Sequence, residues 1–190
     1  MRNVFFLIFS LLLFPAISVA QLFPPPEEGK AVVYFVRPSG LGAAINFQLY
    51  HEEVFIGKFN GVNYMRYECE AGEHVFWARA ENRSFVNADL LANKSYIIEL
   101  VPQMGAIKAG VKLFPIKPNE KRLKKIHKLL EKKSPREFSE EFLQEQQLKF
   151  QDDIAKGLDK YKLLNGKQSP AIKVLSAEDY HEDEDKDALP

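Results

Sequence analysis

Residues 31 to 114 consist of short apolar segments separated by turn signals. The first segment, AVVYFV at 31–36, is uninterrupted, which is typical of a strand buried on both faces. In the last segment, at 107–114, apolar residues alternate with lysines and a glycine, which predicts a strand with one buried and one solvent-exposed face. Eight segments of this kind are present, at 31–36, 44–50, 54–59, 63–69, 74–80, 84–90, 95–101 and 107–114.

The turns between these segments favour hairpins. Asn60-Gly61 is the strongest short hairpin signal, because both residues tolerate a positive φ. Gly72 lies in the next turn, between Glu70 and Glu73. Many short strands with regular turns predict a mainly β domain over residues 30–116, folded as an antiparallel β-sandwich or a small barrel, of which we favour the sandwich.

The apolar period changes from two to 3.6 after residue 117, which predicts a helix over 119–133. One face of this helix is apolar, and its members are Leu123, Ile126, His127 and Leu130. The opposite face is basic and carries what we call the lysine face: Lys121, Lys125, Lys128 and Lys132.

A second helix is predicted from Ser134 to about Leu164. Ser134 would be its N-cap, Pro135 its first residue, and Glu137 would close a capping box. Asn165-Gly166 is typical of the C-terminal end of a helix. The sequence therefore predicts a two-helix extension over residues 117–166.

The first twenty residues have the features of an export signal. Arg2 precedes an apolar run that Pro15 ends, and Ser18 and Ala20 are small residues suited to a cleavage site. We expect cleavage after Ala20 and a periplasmic or secreted protein with no transmembrane span; an uncleaved anchor is the alternative. Residues 21–29, which include three consecutive prolines, are predicted to be a stiff linker.

Charge is segregated although the chain as a whole has 26 basic and 26 acidic residues. Residues 117–136 carry a net charge of +7, from nine basic and two acidic residues. Residues 178–187 carry −6, from seven acidic residues and one lysine. The composition of residues 167–190 predicts an acidic disordered tail, and one hypothesis is that it masks the basic helix.

The single cysteine and single tryptophan lie close together in the sequence, at positions 69 and 77. The strand period places Cys69 on one face with Met65 and Tyr67, which favours a buried structural thiol. A nucleophilic pair of Cys69 with His74, as in a thiol-dependent enzyme, is the alternative from another functional class. Trp77 lies on a half-buried strand, so we expect it to pack against the C-terminal helices.

Candidate chemistry is otherwise sparse. The histidines at 51, 74, 127 and 181 have no metal-ligand spacing along the chain, and one cysteine cannot form an internal disulfide. The sequence therefore predicts no metal site, no cofactor and no catalytic residues. We interpret the protein as a non-enzymatic exported binding or structural module.

The lysine face is the best candidate for partner contact. An amphipathic basic helix suits an anionic lipid surface or an acidic envelope protein. The simpler alternative is that its apolar face packs on the sandwich and its lysines are only solvated. Nucleic acid is a poor fit, because aromatic residues do not interleave the basic ones.

Residues 30 to 116 also resemble a bacterial family called domain of unknown function 2846. The order and spacing of several short features carry the resemblance: Arg37-Pro38, Gly57, Tyr64, Gly72-Glu73-His74 and LLANKSYIIEL at 90–100. The resemblance implies an exported, often lipid-anchored, β-sandwich-like domain of the cell envelope without catalytic residues. This chain lacks the lipidation cysteine of many members, and the resemblance does not extend to the helical and acidic C-terminus.

Overall fold

A computed structural model describes residues 21–104 and 109–183. The strands are β1 (Lys30–Arg37), β2 (Phe47–His51), β3 (Val54–Phe59), β4 (Asn63–Glu70), β5 (Gly72–Arg79), β6 (Arg83–Leu90), β7 (Ser95–Met104), β8 (Ala109–Ile116) and β9 (Ile172–Leu175). The helices are α1 (Leu123–Lys132), α2 (Glu140–Lys149) and α3 (Gln151–Gly166). The first eight strands overlap the eight predicted segments, so the mainly β fold is confirmed.

The strands form two sheets that pack face to face. Sheet A has the order β4-β1-β7-β8, and sheet B has the order β3-β2-β5-β6-β9. The prediction of a wholly antiparallel arrangement was wrong, because β1 pairs with β7 and β6 pairs with β9 in parallel. These are pairs of strands that are distant in sequence, so no hairpin forces them to run in opposite directions.

The main core lies between the sheets, and alternate residues of each strand point into it. From β1 these are Ala31, Val33 and Phe35, while Val32 and Tyr34 point to the outer face of sheet A. All five are buried. Both faces of β1 are covered, and this explains why the segment at 31–36 is apolar at every position.

The helices cover the two outer faces of the sandwich. α1 lies on one face, and α2 and α3 lie on the other. α1 packs Leu123, Ile126 and Leu130 on sheet A. Ile154 of α3 packs on sheet B, together with partly buried residues of α2 and α3. The prediction of a two-helix extension is therefore corrected, since three helices form outer layers of the same domain.

The predicted start of the second helix was also wrong. Residues 134–139 are not helical, and α2 begins after Ser139, whose hydroxyl oxygen accepts the Phe142 N–H at 3.3 Å. The segment before it is held against β4, because the Arg136 N–H donates to the Tyr64 carbonyl at 2.7 Å. This connection leads the chain from the α1 face of the sandwich to the α2 face.

The two ends of the described chain meet beside α1. Leu22 and Phe23 are buried, and their N–H groups donate to the Asp183 carboxylate at 2.8 and 3.2 Å. The predicted linker therefore packs on the domain. The prediction of a disordered tail was wrong for 167–183, because this segment contains β9 and the His181 N–H donates to the Ser95 carbonyl at 2.7 Å.

Other predictions fall outside the described residues. These are the export signal at 1–20 and the last part of the acidic tail, at 184–190. In the ranges that the structure does describe, no helix is long and apolar enough to cross a membrane.

Candidate functional site

The lysine face lies on the solvent side of α1, although only Lys125, Lys128 and Lys132 belong to the helix, because it begins at Leu123 and Lys121 lies in the turn before it. All four of its residues are exposed, whereas Leu123 and Ile126 on the opposite side are fully buried against sheet A. Across residues 21–104 and 109–183, none of the four lysines forms an ion pair. The apolar face of this helix is therefore used in folding, and only its positive charge is left for a partner.

The described part of the acidic segment does not lie on the lysine face. The Asp179 carboxylate lies 3.7 Å from the Lys117 ammonium group, and Glu182 forms an ion pair with Lys94. Asp179 is 7% exposed and His181 is 1% exposed. Up to residue 183, then, the segment predicted to mask the basic helix is instead part of the fold.

Cys69 and His74 do not form a nucleophilic pair in this structure. No hydrogen bond joins the thiol to the imidazole, because both ring nitrogens of His74 have other partners. Burial raises the pKa of the Cys69 thiol to about 12, with a smaller contribution from Glu70. A thiol with such a pKa is protonated at neutral pH and is a poor nucleophile. Its half-buried position beside the core agrees with a structural role.

His74 instead meets His51, and sequence spacing gave no sign of this contact. The Nε2 atom of His51 lies 2.9 Å from Nδ1 of His74, and the Nδ1 atom of His51 lies 3.0 Å from the Tyr67 hydroxyl. His51 ends β2 and lies opposite Phe76 of β5, so His74 is its diagonal neighbour on the same face. Tyr67 belongs to sheet A, so the cluster bridges the two sheets.

The hydrogen bonds limit where the protons of this cluster can be. The Nε2 atom of His74 lies 2.8 Å from the Glu70 carbonyl, which can only accept, so Nε2 carries a proton, and in a neutral His74 ring Nδ1 is then an acceptor. His51 must then donate from Nε2 to His74, and it accepts at Nδ1 from the Tyr67 hydroxyl. This arrangement satisfies every ring nitrogen with two neutral imidazoles.

The environment of His51 favours this neutral form. Burial and, to a smaller extent, the nearby His74 lower the pKa of His51 to about 4, while Glu53 acts in the opposite direction. Desolvation penalises a charged imidazole, so His51 keeps its lone pair near neutral pH.

Glu52 completes a group of three possible metal ligands. One ligand atom from each of His51, Glu52 and His74 lies within 4.8 Å of the others. Glu52 has a φ of +51°, which is uncommon for a residue other than glycine. Its backbone is held on both sides, by its N–H to the Val75 carbonyl at 2.8 Å and by the Trp77 indole N–H to its carbonyl at 2.7 Å.

A cleft of about 750 Å³ lies beside this group. It is bordered by β5, β6, β9 and the C-terminal part of α3. Glu52 and His74 line it together with Glu73, Asp89 and Glu178. Four carboxylates around one cleft make it attractive to cations.

Comparison with known proteins gives one informative match. An uncharacterized protein of Haemophilus influenzae is 29% identical over 104 residues, which is 54% of this chain and 62% of that protein. The chain therefore matches less than two thirds of that relative's length. No family model matches the chain, and no solved structure matches it. The resemblance to domain of unknown function 2846 stays a prediction.

Proposed function

We propose that this protein is an exported, non-enzymatic binding module of the bacterial cell envelope that contacts an acidic protein through its lysine face. The observation that carries the proposal is the unpaired positive charge on the solvent side of α1. Lysines spaced three and four apart on a helix repel one another by about 0.2 to 0.5 kcal/mol per pair. An acidic partner relieves this repulsion and gains complementary charge contacts.

An acidic protein is favoured over a lipid surface because of what α1 buries. A helix that lies in a membrane interface inserts its apolar face between the lipids. Here Leu123 and Ile126 are fully buried in the fold, so they would have to leave sheet A first. Only the positive charge of α1 is then available for binding. A protein surface with carboxylates in fixed positions matches this row of lysines better than mobile lipid headgroups do.

Two observations support export of a bacterial protein. Leu22 and Phe23, which follow the predicted cleavage site by two and three residues, are buried against the domain. The relative in Haemophilus influenzae is bacterial. Mass spectrometry of the protein from fractionated cells should find a periplasmic or secreted chain that starts at Gln21. A chain that keeps Met1 would contradict the proposed cleavage.

The alternative of a thiol-dependent enzyme has little support. The raised pKa of Cys69 and the engaged nitrogens of His74 leave no activated nucleophile at this position. We therefore keep the non-enzymatic proposal.

Crosslinking in native cells tests the proposed contact. Tagged wild-type protein is compared with a variant in which Lys121, Lys125, Lys128 and Lys132 are changed to Glu. The matched control makes the same change at exposed lysines in and just after α3: Lys156, Lys160, Lys162 and Lys167. We expect one protein to be captured by the wild type and the control but not by the lysine-face variant, and we expect capture to weaken as salt is raised.

Two results would overturn this proposal. Capture of the same protein by the lysine-face variant, shown to be folded by circular dichroism, would place the contact elsewhere. Binding of the purified wild type to anionic vesicles, with no protein captured in cells, would replace the protein partner with a lipid surface.

A further inference from the structure

We propose that His51, His74 and Glu52 form a binding site for a divalent transition-metal ion of the zinc type, at the mouth of the acidic cleft. The site is separate from the lysine face and does not depend on the partner proposed above. Two imidazoles and one carboxylate are a donor set that Zn²⁺ accepts. A fourth position, facing the cleft, is then open to water or to a ligand group.

The spacing of the two imidazoles is close to what a shared ion requires. Two nitrogens bound to one tetrahedral Zn²⁺ lie about 3.3 Å apart. Nε2 of His51 and Nδ1 of His74 are 2.9 Å apart, so the nitrogens need to separate by only a few tenths of an ångström, while each ring turns so that its lone pair points at the ion rather than at the other nitrogen. A carboxylate oxygen of Glu52 lies within 4.8 Å of one ring nitrogen of each histidine.

The hydrogen bond of His74 to the main chain suits metal binding. Its Nε2–H is held by the Glu70 carbonyl at 2.8 Å, which leaves Nδ1 as the nitrogen that the neutral ring offers to an ion. Histidines that bind metals usually donate their second N–H to a carbonyl or carboxylate, which fixes the ring orientation. The structure therefore already contains the hydrogen bond that a metal-bound imidazole makes with the ring nitrogen that does not face the metal.

His51 reaches the same state by exchanging one proton position. Its proton moves from Nε2 to Nδ1, where the Tyr67 oxygen, 3.0 Å away, turns from donor to acceptor. The ring stays neutral throughout, and the number of bound protons does not change. Tyr67 is thus a positioning residue that can hold either form of His51.

Glu52 adds charge from a fixed position. Its left-handed backbone is unfavourable for a residue with a side chain and persists because the two hydrogen bonds described above hold it. Glu73, Asp89 and Glu178 line the same cleft and raise the local concentration of cations.

Calorimetric titration of tag-free, chelator-treated protein with ZnCl₂ at neutral pH tests the site. We expect one Zn²⁺ per chain and a higher melting temperature in its presence. Loss of an outer hydrogen-bond partner typically weakens metal binding about 10- to 100-fold. We expect His74→Ala, which removes a direct ligand, to weaken it at least about 100-fold, and Glu52→Gln to weaken it about 10-fold or more.

The neighbouring carboxylate provides the matched control. Glu53 is exposed in the same turn but is not in the ligand group, so Glu53→Gln should bind Zn²⁺ as the wild type does. Glu52 is exposed as well, which keeps Glu52→Gln informative even if His74→Ala fails to fold. Nitrogen NMR should show the proton of His51 on Nε2 without zinc and on Nδ1 with zinc.

Three results would overturn the site. One is the absence of Zn²⁺ binding, and another is equal affinity of the wild type and Glu52→Gln. The third concerns the acidic C-terminus. If removal of residues 184–190 abolishes binding and Glu52→Gln keeps it, the ion is held by the C-terminal carboxylates.

Discussion

The indole ring of Trp77 lies against the backbone of Gly157, with no space between them for a methyl group. A Cβ atom on Gly157 would come within 2.4 Å of Cη2 of Trp77. The indole ring cannot easily move away, because it stacks on Tyr50 with ring centroids 3.9 Å apart. Its N–H also donates a hydrogen bond to the Glu52 carbonyl. This contact fixes α3 on sheet B, and it confirms that Trp77 meets the C-terminal helices.

Gly157→Ala should therefore destabilise the protein. Overpacking of a well-packed site costs about 1 to 3 kcal/mol. Replacement of glycine inside a helix returns at most about 1 kcal/mol. We expect the free energy of unfolding, measured by urea denaturation, to fall by about 1 to 2 kcal/mol.

Gly166 provides the control in the same helix, because a Cβ there meets nothing within 4 Å. Gly166→Ala should leave the free energy of unfolding unchanged or raise it slightly. Equal effects of the two substitutions would show that the contact between Trp77 and α3 is not tight.

The segment after α3 should matter for stability, although its composition predicts disorder. Leu175 of β9 is fully buried in the main core, whereas Val174 beside it is 64% exposed. Removal of a buried leucine side chain costs about 2 to 5 kcal/mol. Since β9 is a short edge strand that can shift, we expect Leu175→Ala to lower the free energy of unfolding by about 2 to 3 kcal/mol.

Val174→Ala changes the neighbouring residue on the solvent side and should cost less than about 0.5 kcal/mol. Thermal or urea unfolding of both variants makes the comparison. If Leu175→Ala is as stable as Val174→Ala, the C-terminal segment does not pack into the core in solution.

Cys69 should resist thiol reagents in the native protein. The thiolate is the reactive form of cysteine, and burial raises the pKa of the Cys69 thiol to about 12. We expect labelling at neutral pH to be at least about 100-fold slower in buffer than in denaturant. Rapid labelling of the native protein would contradict this and would reopen the thiol-enzyme alternative.

Stability should decline at alkaline pH. Burial raises the pKa of Tyr34 from 10.0 to about 12, and that of Cys69 from 9.0 to about 12. Below about pH 9 the folded and unfolded chains both hold these protons, so the stabilisation is fully present. Between about pH 9 and about pH 12 the unfolded chain loses them first, and the free energy of unfolding falls.

Urea unfolding at a series of alkaline pH values measures this slope. Tyr34→Phe removes one of the groups whose pKa burial raises, so the stability of this variant should depend less steeply on pH. An identical slope in the wild type and in Tyr34→Phe would show that Tyr34 ionises as readily in the folded chain as in the unfolded one.

The exposure of the lysine face could be predicted, although Lys121 lies before the helix, but the histidine cluster could not be. Helical period alone separates Lys125 and Lys128 from the buried Leu123 and Ile126, because side chains three and four apart share a helix face. His51 and His74 are 23 residues apart, on strands that do not follow one another in the chain. Only the pairing of β2 with β5 brings them together.

The sequence by itself determined the first eight strands, the faces of Cys69 and Trp77, and the buried side of α1. These features follow from local periods of two and 3.6, which each segment carries within itself. Only the tertiary structure decided the start of α2, the parallel strand β9, the packing of the segment up to residue 183 on the domain and the meeting of His51 with His74. Each of these depends on a surface that distant segments build together: Arg136 joins β4, β9 extends an edge offered by β6, and Leu175 fills space in a core made by both sheets.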